Sequence, residues 1–173
     1  VLDGSHAIML SAETAMGRYP EESVAEMNRI AREAELELNQ RNRGVHTPVT
    51  GKEGINDLLA ASAVIFAEHM AADCILAFSI EGTTHRALST ASPTVPLYGV
   101  LVDRAYLLQL LLYRGPNLTT MPYENRLDEL VPRALKKLRD DGVVGSGDKI
   151  IIVARQPEPE ADESFLLKLS ILS

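Results

Sequence analysis

The chain has 173 residues, a formal net charge of −7 and a hydrophobic content of 46%. This length allows one domain with a real core, or one domain plus part of another, and the composition argues against wholesale disorder. The negative charge disfavours nucleic acids and anionic membranes as partners, since both require clustered Lys and Arg. The single cysteine excludes an internal disulfide, and no segment resembles a signal peptide or a membrane span, so we expect a cytoplasmic protein.

The first twenty residues carry most of the functional signal. Residues 8–10 are apolar and fit a strand buried on both faces, and the polar cluster of residues 11–14 follows directly. Gly17, Pro20 and two glutamates then indicate a loop and the start of a helix. A strand, a polar loop and a long helix together form one βα unit of an α/β fold.

A long amphipathic helix is predicted from residue 20 to about residue 42. This segment has no Gly or Pro after its first residue, and its apolar residues recur at helical spacing. Residues 44–54 contain three Gly and one Pro and have the composition of a linker. We therefore predict a first domain at residues 1–43 and a second domain at residues 55–173.

Helices and strands alternate in the predicted second domain. The predicted strands lie at residues 74–78, 97–102, 118–121, 149–154 and 165–172. The predicted helices lie at residues 55–70, 84–92, 103–112 and 124–141. Alternation of this kind, closed by a strand that returns along its neighbour, predicts a three-layer α/β/α fold with a mostly parallel five-stranded sheet and one antiparallel edge strand.

The opening string VLDGSHAIMLSAETAMGRYP closely resembles a pattern of the pyruvate kinase family, VLDG-(T/A)-D-A-hydrophobic-M-L-S-(G/A)-E-T-A-x-G-x-(Y/F)-P. The later order of elements is similar to the C-terminal domain of that family, whose fixed points match the string LLYRG at residues 111–115 and the pair Gly147-Asp148. The resemblance implies that residues 1–43 are the last βα unit of a TIM barrel and that residues 55–173 are the family's C-terminal α/β domain. Because the chain begins in mid-motif and without Met, we expect it to be part of a longer polypeptide.

The resemblance also implies a reaction, the conversion of phosphoenolpyruvate and ADP to pyruvate and ATP in glycolysis. In the family, the metal-binding carboxylates, the monovalent-cation ligands and the lysine that faces the phosphoryl group lie in earlier barrel strands, which this chain lacks. We therefore expect this chain alone to be inactive and to hold no cofactor, whereas the intact enzyme uses Mg²⁺ and K⁺. Its own role would be assembly and allosteric regulation. The alternative is a stand-alone, non-catalytic α/β module that binds a small phosphorylated effector.

Ser11 is the candidate catalytic residue, in a supporting role. The matching serine of the family lies at the barrel rim near bound substrate, where it is proposed to join the hydrogen-bonded chain that delivers a proton to enolpyruvate. A hydroxyl can relay a proton because it donates and accepts at once. The alternative is that Ser11, Glu13 and Thr14 only cap the strand and the helix.

The turn at residues 79–84 is the second candidate site. It joins a strand end to a helix N-terminus, where backbone N–H groups and hydroxyls suit a phosphate. In the family this loop holds the phosphate of a sugar-phosphate activator, which implies that Ser79, Gly82, Thr83 and Thr84 bind a sugar-phosphate or nucleotide effector. The alternative is an ordinary strand-to-helix turn with Ser79 or Thr83 as its cap.

Two acidic features count against a phosphate in this turn. Ile80 and Glu81 stand where the family has hydroxyl residues, and a carboxylate repels a phosphate dianion. The predicted loop at residues 156–163 adds four more acidic residues. His85 and Arg86, on the helix that follows the turn, could partly compensate for this negative charge.

The remaining candidate residues are not assigned to a metal or catalytic site. The histidines His6, His46, His69 and His85 lack the spacing of a metal site, and Cys74 opens an apolar strand where it is expected to be an inert core residue. The apolar opening strand has no barrel neighbours in this chain, so we expect it to seek another copy and to favour a homo-oligomer.

Overall fold

The computed structural model describes residues 5–42, 54–122, 127–157 and 163–173. The chain divides into two compact units, one ending at residue 45 and the other beginning at residue 46. The predicted linker at residues 44–54 lies almost entirely outside the described residues, so the predicted domain bounds stay a prediction. No described helix combines the length and the apolar character that crossing a membrane requires.

The first unit consists of a short helix, α1 (Ala12–Ala15), and a long helix, α2 (Pro20–Asn42). The carbonyl of Tyr19 accepts hydrogen bonds from the backbone N–H and from the hydroxyl of Ser23, at 3.0 and 2.7 Å. Pro at the first helical position and two glutamates in the first turn suit the positive end of the helix dipole. The predicted long helix is confirmed.

The predicted opening strand at residues 8–10 is wrong for this structure. Residues 7–11 have no regular secondary structure, and the side chains of Ile8 and Met9 are 44% and 86% exposed. A strand needs a hydrogen-bonded neighbour, and the described part of the first unit otherwise contains helices. The assignment of this stretch to the last unit of a TIM barrel therefore stays a prediction.

The second unit is built on one five-stranded sheet. Its strands are β1 (Cys74–Ser79), β2 (Leu97–Leu101), β3 (Pro116–Thr120), β4 (Lys149–Pro157) and β5 (Glu163–Ile171), in the order β3-β2-β1-β4-β5. The pairs β1–β2, β1–β4 and β2–β3 are parallel, and only β4–β5 is antiparallel. The predicted mostly parallel sheet with an antiparallel edge strand is confirmed.

The described part of the second unit also contains four helices, namely α3 (Ile55–His69), α4 (Thr83–Ala91), α5 (Arg104–Leu110) and α6 (Leu127–Asp140). Asp103 caps α5 as predicted, since its carboxylate accepts a hydrogen bond of 2.8 Å from the N–H of Ala105. Pro116 already belongs to β3, so this strand begins two residues earlier than predicted.

Alternate residues of the central strands point into two separate cores. Ile75 and Ala77 of β1 pack with α3 and α4 on one face of the sheet, and Leu76 and Phe78 pack with α6 on the other. Each fully buried Leu or Ile contributes roughly 1.5–3 kcal/mol relative to an exposed one. The three-layer arrangement is therefore confirmed, and β1 and β4 are its most deeply buried strands.

Candidate functional site

The parallel pairing of β1 with β4 ends at one point of the sheet. Phe78 of β1 pairs with Ala154 of β4, so the next residues, Ser79 and Arg155, lie side by side where the pairing of these two strands ends. From β1 the chain crosses to β2 on one side, whereas the return from β3 through α6 enters β4 on the other side. Such a topological switch point is where α/β sheets commonly hold ligands.

A pocket of about 130 Å³ opens at this switch point. Its lining residues are Ser79, Ile80, Glu81, Thr83 and Arg155. Four of these come from the turn after β1, and the fifth comes from β4, which is remote in sequence. The pocket thus unites the predicted turn with a cationic side chain that sequence reasoning did not select.

Ser79 and Gly82 fix the shape of the turn. The hydroxyl oxygen of Ser79 accepts a buried hydrogen bond of 2.9 Å from the N–H of Gly82. Gly82 has a φ of +79°, and a Cβ there would lie 2.8 Å from the Cδ1 atom of Leu110, so no other residue fits well. Because a hydroxyl can donate while it accepts, Ser79 still has its O–H proton for a ligand.

The N-terminus of α4 faces the same turn. Gly82 is its N-cap and supplies no capping side chain, so the first N–H groups of the helix have no side-chain cap. Thr83 is half-buried and lines the pocket, whereas Thr84 is 1% exposed and its hydroxyl has no hydrogen-bond partner. Of the four predicted effector residues, two line the pocket, Gly82 shapes the turn, and Thr84 lies in the interior.

The charged residues around the turn differ from the expectation. Arg86 is exposed and does not line the pocket. His85 is fully buried, and its Nε2 lies 3.1 Å from the carbonyl of Ala77. Burial lowers the pKa of His85 to about 4, with the hydrogen bond to Ala77 acting in the opposite direction. The expectation that His85 offsets the charge of Glu81 is therefore wrong, because the ring is neutral and faces the sheet.

Arg155 provides the cation that His85 does not. It is half-buried in β4, the strand richest in β-branched residues, and lines the pocket. The sequence shows the strand but not its place beside β1, because strand order depends on the crossover connections and not on local pattern. The sequence nevertheless contains a signal for Arg155, because this residue directly follows the predicted buried strand at residues 149–154. A charged side chain at that position lies at the edge of the sheet where ligands bind.

Ser11 is exposed at the start of α1, and its side chain makes no capping hydrogen bond. Its backbone N–H donates to the Glu13 carboxylate at 3.0 Å, and its carbonyl accepts from the Thr14 hydroxyl at 3.2 Å. Backbone hydrogen bonds from Glu13 itself and from Ser11 hold the pKa of the Glu13 carboxyl below its usual value. Glu13 and Thr14 thus take the local capping roles, and the Ser11 hydroxyl is left uncommitted.

The other titratable candidates lie in the core or apart from one another. Cys74 is buried, and burial, followed by the charges of Asp73 and Asp148, raises the pKa of its thiol to about 12. The predicted core position of Cys74 is confirmed. Within the described ranges, no group of His, Cys, Asp and Glu residues is arranged to hold a metal ion.

Comparison with known proteins gives one consistent family. The family model described as "Pyruvate kinase, alpha/beta domain" matches residues 57–168. The pyruvate kinase of Geobacillus stearothermophilus is 29% identical over 173 residues, which are 100% of this chain and 30% of that protein. The pyruvate kinase of Bacillus licheniformis is 33% identical over 172 residues, which are 99% of this chain and 29% of that protein.

Solved structures agree with this result. Cryptosporidium parvum pyruvate kinase in complex with ADP has a TM-score of 0.72 and 26% identity, covering 99% of this chain and 35% of that one. A second pyruvate kinase structure from the same organism has a TM-score of 0.77 at 25% identity. The chain spans about a third of the length of these relatives. It belongs to the pyruvate kinase family and comprises that family's C-terminal α/β domain.

Proposed function

We propose that this chain is the regulatory and oligomer-building part of a cytoplasmic pyruvate kinase, which converts phosphoenolpyruvate and ADP to pyruvate and ATP in glycolysis. The relatives align with nearly all of this chain but extend well beyond it, which supports a division of labour within a longer protein. Phosphoryl transfer depends on metal ions and cationic groups that neutralise the developing charge. We assign those groups, with Mg²⁺ and K⁺, to the rest of the enzyme.

The chain by itself is then inactive. A coupled assay with phosphoenolpyruvate, ADP, Mg²⁺ and K⁺ should give no pyruvate formation that rises with the concentration of this chain. Turnover proportional to chain concentration would contradict the proposal. In the native cell, the gene product should have about three times the mass of this chain, as its relatives do. A mass equal to this chain would favour the stand-alone, non-catalytic module instead.

The regulatory role is assigned to the pocket where the pairing of β1 with β4 ends. Its position at the topological switch point, with Arg155 beside the turn at residues 79–84, is the observation that carries this proposal. A phosphorylated effector, such as a sugar phosphate or a nucleotide, would receive hydrogen bonds from Thr83 and from the first N–H groups of α4. Arg155 would supply positive charge, and Ser79 would hold the turn in shape.

Calorimetric titration of the chain with phosphorylated compounds tests this role. Replacing Arg155 with Met should weaken binding roughly ten-fold or more, because a charge-assisted hydrogen bond contributes about 1.5–3 kcal/mol. The matched control is Arg86→Met, which removes the same charge from an exposed position outside the pocket lining. Equal losses in both variants would mean that binding is a general charge effect and that the pocket is not the site.

Self-association belongs to the same proposal. Several large apolar side chains of the first unit are exposed, among them Met9, Met16 and Tyr19 at 86%, 85% and 66%. Apolar surface of this kind favours contact with another copy. Sedimentation at micromolar concentration should therefore give a homodimer or a larger species. A sharp monomer mass would count against it.

A further inference from the structure

Opposite charges line the switch-point pocket. Glu81 contributes a carboxylate and Arg155 a guanidinium, and the other three lining residues are uncharged. The part of the lining that the structure describes therefore has no net formal charge. A ligand with only negative groups would be attracted by Arg155 and repelled by Glu81. Both energies fall off with distance in the same way.

Glu81 is available to a ligand. Its side chain is exposed, and it has no hydrogen-bond or ion-pair partner among the residues that the structure describes. The turn that carries it is fixed by the buried hydrogen bond between Ser79 and Gly82, and Glu81 lines the pocket. A carboxylate without a partner repels an anionic ligand, so its place beside a cation does not suit a site that binds anions alone.

We propose that the pocket binds a small phosphate ester that also carries an ammonium group. The phosphate would lie toward Arg155 and Thr83, at the start of α4, and the ammonium group would lie toward Glu81. A cavity of about 130 Å³ suits a ligand of this size better than a sugar bisphosphate, since pockets for drug-sized ligands reach about 300–1,000 Å³. This inference rests on the proposed effector function and names the ligand class of that same site.

Two probe compounds separate the ammonium contribution from the phosphate contribution. O-phosphorylethanolamine and 2-hydroxyethyl phosphate have the same skeleton and the same phosphate, and differ in an ammonium group against a hydroxyl. Each is titrated calorimetrically into the 173-residue chain at low salt, because exposed charge pairs are screened by salt. Phosphorylethanolamine should bind roughly five-fold more tightly, as expected for one partly exposed ion pair.

Glu81→Gln tests whether this preference comes from the proposed residue. The substitution keeps the size of an exposed side chain and removes its charge, so the fold should not change. In the variant, the two probes should bind within about two-fold of each other, since the ion pair is absent. Glu33→Gln removes the same charge from an exposed position on α2, outside the pocket lining, and should keep the full preference.

The outcomes separate this inference from the function on which it rests. If both probes bind the wild-type chain equally, or if Glu81→Gln keeps the preference, the ammonium assignment is overturned while the phosphate site stands. If neither probe binds, and inorganic phosphate and sugar phosphates also fail to bind, the effector function of the pocket is overturned together with the inference. The inference and the effector function are both supported if phosphorylethanolamine binds more tightly than 2-hydroxyethyl phosphate to the wild type and to Glu33→Gln, but not to Glu81→Gln.

Discussion

The imidazole ring of His85 occupies space that exists only because residue 99 is glycine. A Cβ placed on Gly99 would lie 2.5 Å from the Nε2 atom of the ring and 2.6 Å from the Cδ2 atom of Leu118. The same Nε2 lies 3.1 Å from the carbonyl of Ala77, to which its N–H donates. His85 of α4, Gly99 of β2 and Ala77 of β1 are thus packed together, and Ala77 lies two residues before the turn at residues 79–84.

Gly99→Ala should destabilise the second unit. Overpacking a filled core typically costs about 1–3 kcal/mol, because side chains and backbone must move to admit the extra methyl group. Urea denaturation should therefore show a lower midpoint with an unchanged slope. Gly145→Ala is the matched control, since a Cβ there meets no atom within 4 Å, and it should change the free energy of unfolding by less than about 0.5 kcal/mol. Equal midpoints for the two variants would show that the His85 ring moves aside for the new methyl group without a measurable loss of stability.

His85 should make the fold sensitive to acid. Its pKa falls from 6.5 to about 4 because burial disfavours the charged ring. The unfolded chain therefore binds a proton at higher pH than the folded chain does. The neutral, buried ring therefore stabilises the fold fully above pH 6.5. As the pH falls toward 4, this stabilisation is lost and the free energy of unfolding decreases by at most roughly 3 kcal/mol.

Denaturation by urea at several pH values between 4 and 8 measures this effect. The wild-type chain should lose stability between pH 6.5 and 4.5. His85→Gln should lose clearly less over this interval, although it starts from a lower stability because the hydrogen bond to Ala77 is disturbed. Identical pH dependence in the two proteins would mean that folding does not lower the pKa of His85.

The sheet was predictable because its signals are local. The apolar run of β1, the β-branched run of β4 and the Asp103 cap are each contained within a few neighbouring residues, and each appears in the structure. The antiparallel return of β5 followed from the composition around it. The buried position of Cys74 could also be predicted, because a cysteine at the start of an apolar strand is buried with it.

The features that were missed depend on contacts between distant parts of the chain. Arg155 lies beside Ser79 only because β4 inserts next to β1, which no local pattern reveals. His85 was interpreted as a cation at a helix N-terminus, but it turns toward the sheet because Gly99 leaves room for it. Residues 8–10 are apolar enough for a strand, yet apolar character alone does not supply the hydrogen-bonded neighbour that a strand requires.

Ser11 gives a prediction about the full-length enzyme. If its hydroxyl relays a proton to the product, Ser11→Ala should lower kcat roughly ten-fold or more with little change in KM, since the loss concerns the chemical step. Local structure should survive, because Ser11 contributes to α1 through its backbone N–H and carbonyl and makes no capping bond with its side chain.

Two further variants distinguish a proton relay from a structural role. Ser11→Thr keeps a hydroxyl and should recover most of the activity, whereas Ser11→Ala should also shift the pH profile of kcat, because a different group must then deliver the proton. Thr14→Val removes the hydroxyl that donates to the Ser11 carbonyl and disturbs only the local cap. If Ser11→Ala and Thr14→Val both leave kcat within about two-fold of wild type, Ser11 only begins a helix.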